Sequence, residues 1–130
     1  MIHSLILFAL AGTAGWAIEY AWEGKPRYSA IFRGVPVPFL PIYGFGAGLV
    51  NFLWPAIAGW PLLVRGLGYA LALTGLEWIG CQIDRALGAC SWDYTGNRCR
   101  VHGVGCINVR HAGAWALLGL GAERLMMLAR

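Results

Sequence analysis

Charged residues are scarce in this 130-residue sequence. Only 12% of its residues are Asp, Glu, Lys or Arg, whereas 58% are hydrophobic and the mean hydropathy is +0.59. Soluble domains are about one quarter charged and less than half apolar, and a chain this short has too much surface for its volume to hide such an excess. The composition excludes a soluble enzyme, a disordered tail and a nucleic-acid binder that works through a basic patch. It indicates a protein whose solvent and first partner is the lipid bilayer.

Several motifs are absent as well. No G-x-x-x-x-G-K-[ST] phosphate-binding pattern occurs, so any ATPase that acts with this chain is a separate chain. No tight C-x2-C pair occurs, which weakens the alternative of a zinc site built from Cys90, Cys99, His102 and Cys106. We therefore predict neither a metal nor a cofactor. The first apolar run lacks the positive segment of a signal peptide, because only His3 precedes it, and we interpret it as a helix.

Four segments are long and apolar enough to cross a membrane. A transmembrane helix needs about 20 mostly apolar residues to span a hydrocarbon core of roughly 30 Å. The segments are residues 4–22, 37–58, 62–83 and 104–127. The sequence therefore predicts an all-α membrane protein, a bundle of four transmembrane helices that forms one integral membrane domain over residues 1–130.

The Lys and Arg residues predict an orientation, because cytoplasmic loops carry the excess of positive charge. Six of them lie in the first and third loops, namely Lys25, Arg27, Arg33, Arg85, Arg98 and Arg100. We therefore expect both polar loops in the cytoplasm and both termini outside. With the third loop in the cytoplasm, no stable disulfide is expected among the four cysteines near it. The opposite orientation would make disulfides the better interpretation.

Glycine and proline are concentrated where helices pack or begin. Gly44 with Gly48, and Ala11 with Gly15, form small-xxx-small pairs that are typical of helix contacts in lipid. Three prolines within residues 35–46 have two interpretations. They frame a broken or delayed helix that lines a binding site, or they start an ordinary helix at proline.

Ionisable residues inside the predicted spans point to a site, since they are costly in lipid. Glu19 and Glu77 lie toward the ends of their spans that face the polar loops, and Arg110 begins the fourth span at a similar depth. We predict a polar pocket lined by these three side chains and roofed by the third loop. The alternative is a structural network in which a glutamate pairs with Arg33 or Arg110.

Two further groups of polar residues stand out. Asp93 lies between the aromatic residues Trp92 and Tyr94 in the third loop. This arrangement suits a cation or a sugar-like headgroup, and it suits a turn anchored at the membrane interface equally well. At the other side of the membrane, Arg65 and Glu123 are placed to form an internal ion pair.

The order of several motifs resembles one family. They are Gly15-Trp16-x-x-Glu19-x-x-Trp22, Arg33-Gly34, Pro38-Phe39-Leu40-Pro41-Ile42-Tyr43-Gly44-Phe45-Gly46-Ala47, Thr74-Gly75-Leu76-Glu77-Trp78-Ile79-Gly80, Trp92-Asp93-Tyr94 and Gly103-x-x-Cys106. In this order they resemble the putative ABC-transporter type IV proteins across nearly the whole chain. The resemblance implies a small multi-pass protein of the bacterial inner membrane, assigned to transport without an established substrate.

The resemblance also bears on individual positions. The positions that match the family are Glu19, Arg33, Tyr43, Glu77, Trp92, Asp93 and Tyr94. After Tyr94 the chain departs from an expected Asn-Leu-Asn-Gly-like stretch, so any role of Arg110 or His111 is specific to this chain. We take the seven matching positions together with Arg110 as the candidate substrate-binding residues.

A transport component is the function that these observations favour. Four helices are few for a solute path, so we expect a homodimer or a partner ATPase subunit, with Glu19 and Glu77 binding a cation or a proton. One alternative is an intramembrane enzyme for a lipid or lipid-linked substrate, in which Glu19, Glu77 and Asp93 supply acid–base chemistry and Arg33 holds a phosphate. Another is a scaffold that assembles membrane proteins through glycine-rich faces.

Overall fold

The regular structure of the chain is helical. The computed structural model describes residues 2–23, 37–88, 94 and 105–128. The helices in these ranges are α1 (Ile2–Glu23), α2 (Pro41–Ile57), α3 (Leu62–Ala86) and α4 (Val109–Leu128). For the described residues, the prediction of an all-α protein with four helices is confirmed.

Two of the described helices are long and apolar enough to cross a membrane, α1 over His3–Trp22 and α3 over Leu62–Ala86. Helix α2 has 17 residues, or about 26 Å at 1.5 Å per residue. Helix α4 carries Arg110, Glu123 and Arg124. The prediction of four spans is therefore supported for α1 and α3 only.

Helix α2 begins four residues later than predicted, at Pro41. Proline fits the first turn, where its missing N–H has no partner to lose, and Leu40 before it is extended. The Leu40 amide donates to the Gly12 carbonyl at 3.0 Å, and the Phe39 ring covers Gly12. An ordinary proline-started helix thus describes α2, and the non-helical residues before it lie against the middle of α1.

Helix α4 also begins later than predicted, at Val109. The Arg110 amide donates to Asn108 Oδ1 at 2.9 Å, and the Ala112 amide donates to the Asn108 carbonyl. This is the pattern of an N-cap, in which a side-chain oxygen satisfies an unpaired amide of the first turn. Asn108 therefore fixes the start of the helix, which hydrophobicity alone placed at residue 104.

The helices run antiparallel in two closely packed pairs, α1 with α2 and α3 with α4, and α2 also packs on both α3 and α4. Gly15 lies under the Tyr43 ring and Gly44 lies against Phe8, so neither position has room for a side chain. Gly48 faces open space. The predicted helix contacts therefore hold for Gly15 and Gly44 and do not extend to Gly48.

The interior is a small apolar cluster of Val50, Ile57, Tyr69, Leu73 and Trp115. Many large aliphatic and aromatic side chains are exposed, and the exposed fractions of Phe52, Leu63 and Leu71 reach 78%, 82% and 76%. A surface of this kind is a liability in water and is suited to hydrocarbon.

Candidate functional site

Glu77 of α3 is buried among neutral hydrogen-bond donors. Its side chain is 3% exposed. The Tyr94 hydroxyl donates to Glu77 Oε1 at 2.8 Å, and Trp115 Nε1 of α4 donates to Oε2 at 3.0 Å. Each carboxylate oxygen thus receives one donor, which offsets part of the cost of burial without neutralising the charge.

Glu19 of α1 is connected to Glu77 through two aromatic side chains. The Tyr43 hydroxyl of α2 donates to Glu19 Oε1 at 2.8 Å, and the Tyr43 ring packs on the Trp115 ring with centroids 5.3 Å apart. We call Glu19, Tyr43, Glu77, Tyr94 and Trp115 the carboxylate cluster, and it draws on all four helices.

The remaining candidate residues are placed differently. Arg110 is exposed and lies over the Trp22 ring, 5.4 Å from its centroid, and in the described part of the chain it forms no ion pair with either glutamate. His111 packs edge-on against the Tyr94 ring at 4.7 Å. Arg33, Trp92 and Asp93 lie outside the described residues.

Glu123 of α4 shows the opposite arrangement. It is 2% exposed, and Arg65 Nη2 lies 3.1 Å from Glu123 Oε1. The Tyr69 hydroxyl donates to Oε2 at 2.9 Å. The predicted Arg65–Glu123 ion pair is confirmed, and the charge of Glu123 is balanced inside the fold.

The charge of the carboxylate cluster has no such balance in the part of the chain that the structure describes. There, the hydrogen bonds to Glu19 and Glu77 come from hydroxyl and indole groups, and no Lys or Arg forms an ion pair with either. Two carboxylates that are linked through Tyr43 and Trp115 and have no paired Lys or Arg in these ranges attract a cation or a proton.

Two buried polar groups close to the cluster have no hydrogen-bond partner within the described residues, Trp16 Nε1 and Thr74 Oγ1. Trp16 precedes Glu19 by three residues and Thr74 precedes Glu77 by three, so each shares a helix face with its glutamate. Buried polar groups are normally satisfied. These two give the cluster spare capacity to bind a polar group.

A disulfide lies one helical turn from Glu77. Cys81 of α3 is bonded to Cys106, with Cα atoms 5.8 Å apart, and the Tyr94 amide donates to the Gly105 carbonyl at 2.6 Å. The bond therefore fastens the segment that holds Tyr94 against Glu77. Sequence reasoning missed Trp115 as a ligand of Glu77, since an apolar helix gives no sign of where one indole N–H points.

The expectation that the four cysteines form no stable disulfide is wrong for Cys81 and Cys106. The reason is geometric, because α3 and α4 meet at this end and bring the two Cα atoms within bonding range. Cys106 is therefore not free to bind zinc, and the other residues of that alternative, Cys90, Cys99 and His102, lie outside the described residues.

Comparison with known proteins gives one match. A family model described as putative ABC-transporter type IV matches residues 6–128. No curated protein and no solved structure matches the chain.

Proposed function

The chain belongs to the putative ABC-transporter type IV family, and from this premise we propose that it is a membrane component of a transporter whose carboxylate cluster binds the cationic group of a substrate or a proton. One observation carries the proposal. Glu19 and Glu77 come from different helices, are joined through Tyr43 and Trp115, and receive neutral donors.

The contrast with Glu123 supports a binding role. A charge inside a membrane is costly unless it is paired, and Arg65 pairs with Glu123. Within the described residues the carboxylate cluster leaves two carboxylates without a paired Lys or Arg, and a cationic ligand would neutralise them.

The depth of Glu77 is suited to transport. It lies three residues beyond the midpoint of α3 (Leu62–Ala86), or roughly 5 Å along the helix axis. Transporters commonly bind substrate near the bilayer midplane. If α3 crosses the membrane along its length, Glu77 is nearer the midplane than its place in the sequence-predicted span indicated.

The disulfide bears on the side of the membrane that the cluster faces. Disulfides persist in oxidising compartments and are rare in the cytosol, and Cys81 is one turn from Glu77. We therefore propose an inner-membrane protein whose cluster end faces the outside and whose opposite end faces the cytoplasm. This reverses the orientation expected from the Lys and Arg residues.

The association with an ATPase is tested by native mass spectrometry of the full chain, extracted gently from its own membrane. The expected result is a complex of fixed stoichiometry with a nucleotide-hydrolysing chain, and ATPase activity that co-purifies with it. A chain that is recovered only alone or as a homo-oligomer contradicts the permease role. In that case the proposal is reduced to a carrier that works without an ATPase subunit.

The role of the cluster is tested with tetramethylammonium, a small cation without a tail. It is added to the purified chain, and the amount that the chain retains is measured. We expect Glu77→Gln to abolish its retention, because the neutral amide keeps the shape of the side chain and removes the charge. The control is Arg65→Met with Glu123→Gln, which removes a buried carboxylate together with its counter-ion and should leave retention unchanged. Equal retention by wild type and Glu77→Gln overturns the proposal.

A further inference from the structure

An apolar groove runs between α1 and α4, because α1 packs on α2 and leaves its other side open. Its volume is about 480 Å³. Small and aliphatic side chains from all four helices line it, among them Ala11, Ala14, Ala47, Leu73, Gly121 and Ala122. On α1 the lining extends from Leu7 to Ile18, or about 16 Å of helix. The groove is therefore long and apolar.

One end of the groove lies next to the carboxylate cluster. Tyr43 and Trp115 line it, and these side chains donate the hydrogen bonds to Glu19 and Glu77. Trp16 and Thr74, whose polar atoms lack partners in the described ranges, are adjacent in sequence to the lining residues Gly15 and Leu73. The groove itself is apolar, and Tyr43 and Trp115 connect its lining to the carboxylates of Glu19 and Glu77 that lie just beyond it.

We propose that the groove binds the aliphatic chain of a cationic amphiphile, a long-chain amine or quaternary ammonium, whose charged head lies at the carboxylate cluster. The proposal rests on the proposed function, since it assigns the substrate class of the same site. Two carboxylates select a positive head by charge complementarity, and burial of methylene groups in the trough supplies affinity.

The size of the groove favours a chain over a helix. Pockets for small molecules span roughly 300–1,000 Å³, and this volume lies within that range. An α-helix with its side chains is about 10–12 Å across, so a 16 Å length fills roughly 1,300 Å³ or more. A helix of a second copy or of a partner protein would therefore project well out of the groove, whereas a single aliphatic chain fits within it.

Three probes separate the contributions of head and tail. They are dodecyltrimethylammonium, the neutral dodecanol with the same chain length, and tetramethylammonium with no tail. The full chain is placed in nanodiscs of a neutral glycolipid, so that the lipid offers no competing ammonium group. Native mass spectrometry then measures the occupancy of each probe. We expect dodecyltrimethylammonium to exceed both others at least about tenfold, because only it uses both parts of the site.

Matched variants test the groove itself. Gly121→Trp places an indole in the trough, where a side chain meets no atom within 4 Å. Gly113→Trp is the control, because Gly113 is also an exposed glycine of α4 with open space and is not part of the lining. Ala14→Trp blocks the groove from α1 and covers the case in which the first variant fails to fold. Excluding two or three methylene groups weakens binding roughly tenfold or more, so both blocking variants should lose dodecyltrimethylammonium while the control retains it.

The other outcomes separate the two proposals. If both blocking variants bind like wild type while Glu77→Gln loses both cations, the cluster binds cations and the groove proposal is overturned. Equal occupancy by dodecanol and dodecyltrimethylammonium overturns the selection of a cation. A wild-type dimer that Gly121→Trp dissociates without loss of either cation makes the groove an interface between copies and overturns the proposal. If Glu77→Gln retains tetramethylammonium like wild type, the proposed function itself fails.

Discussion

Arg65 holds a buried carboxylate and the end of a helix at the same time. One nitrogen of its guanidinium pairs with Glu123, and another donates to the carbonyls of Ala58 and Trp60 in the turn after α2, both at 3.1 Å. A planar guanidinium with several donors can satisfy such partners together. Arg65 therefore links α4 to the α2–α3 turn, and its loss leaves Glu123 charged and unpaired.

Replacing Arg65 alone should destabilise the protein, whereas replacing Arg65 and Glu123 together should not. We expect Arg65→Met to lower the free energy of unfolding by about 3–5 kcal/mol, because it leaves an uncompensated buried charge. Arg65→Met combined with Glu123→Leu should recover most of that loss. Chemical denaturation in detergent, followed by tryptophan fluorescence, measures both. Equal instability of the single and double variants would contradict the importance of the ion pair.

Two glycines of α4 differ in the space around them, because one is closely packed and the other faces open surface. A Cβ atom at Gly119 would lie 2.5 Å from Tyr69 Cβ, whereas one at Gly121 would meet nothing within 4 Å. We expect Gly119→Ala to destabilise the protein by about 1–3 kcal/mol through overpacking and Gly121→Ala to leave it as stable or slightly more so, since alanine favours helix. Thermal denaturation of the two variants checks this, and similar melting temperatures would refute the close contact.

At the scale of the elements, hydrophobic runs predicted the four helices and misplaced several ends. Helix α3 continues to Ala86, three residues beyond the predicted span. The predicted length came from the thickness of a bilayer, which does not determine where a helix ends. The starts of α2 and α4 depend on single groups, the ring of Pro41 and the amide-binding oxygen of Asn108. Hydropathy averaged over a window of residues does not detect such local interactions.

The candidate site was predictable in part for a similar reason. Charges in apolar helices marked Glu19 and Glu77, and the ordering of antiparallel helices placed them at one end. The bond from Trp115 and the outward position of Arg110 depend on side-chain rotation, which the sequence does not express. The disulfide was missed because its prediction depended on the orientation taken from loop charges.

The disulfide should stabilise the α3–α4 pair. Its two cysteines are 25 residues apart, and closing a loop of that length contributes about 3–4 kcal/mol by restricting the unfolded chain. We expect Cys81→Ser with Cys106→Ser to lower the melting temperature, and reductant to lower that of wild type toward the same value. Cys90→Ser with Cys99→Ser is the control and should keep the response to reductant. An unchanged melting temperature in the first variant would argue against the bond.

For the whole molecule, the two signals for orientation disagree and an experiment decides between them. Alkaline phosphatase is active only outside the cytoplasm, so it reports the side of its fusion point. With the cluster end outside, a fusion after Gly88 should be active and a fusion in the α2–α3 turn at Gly59 inactive. A fluorescent protein at the same points should give the reverse pattern. Activity at Gly59 and none at Gly88 would restore the orientation predicted from the loop charges.

The disulfide also shows whether α3 and α4 have paired. Cys81 and Cys106 flank the third loop in the sequence, so they can bond only once α3 and α4 have paired side by side. In a pulse-chase experiment the oxidised band on a non-reducing gel therefore counts the molecules that have completed this step. The bond therefore reports the pairing of α3 and α4 in each newly made chain, and no known substrate is needed to follow it.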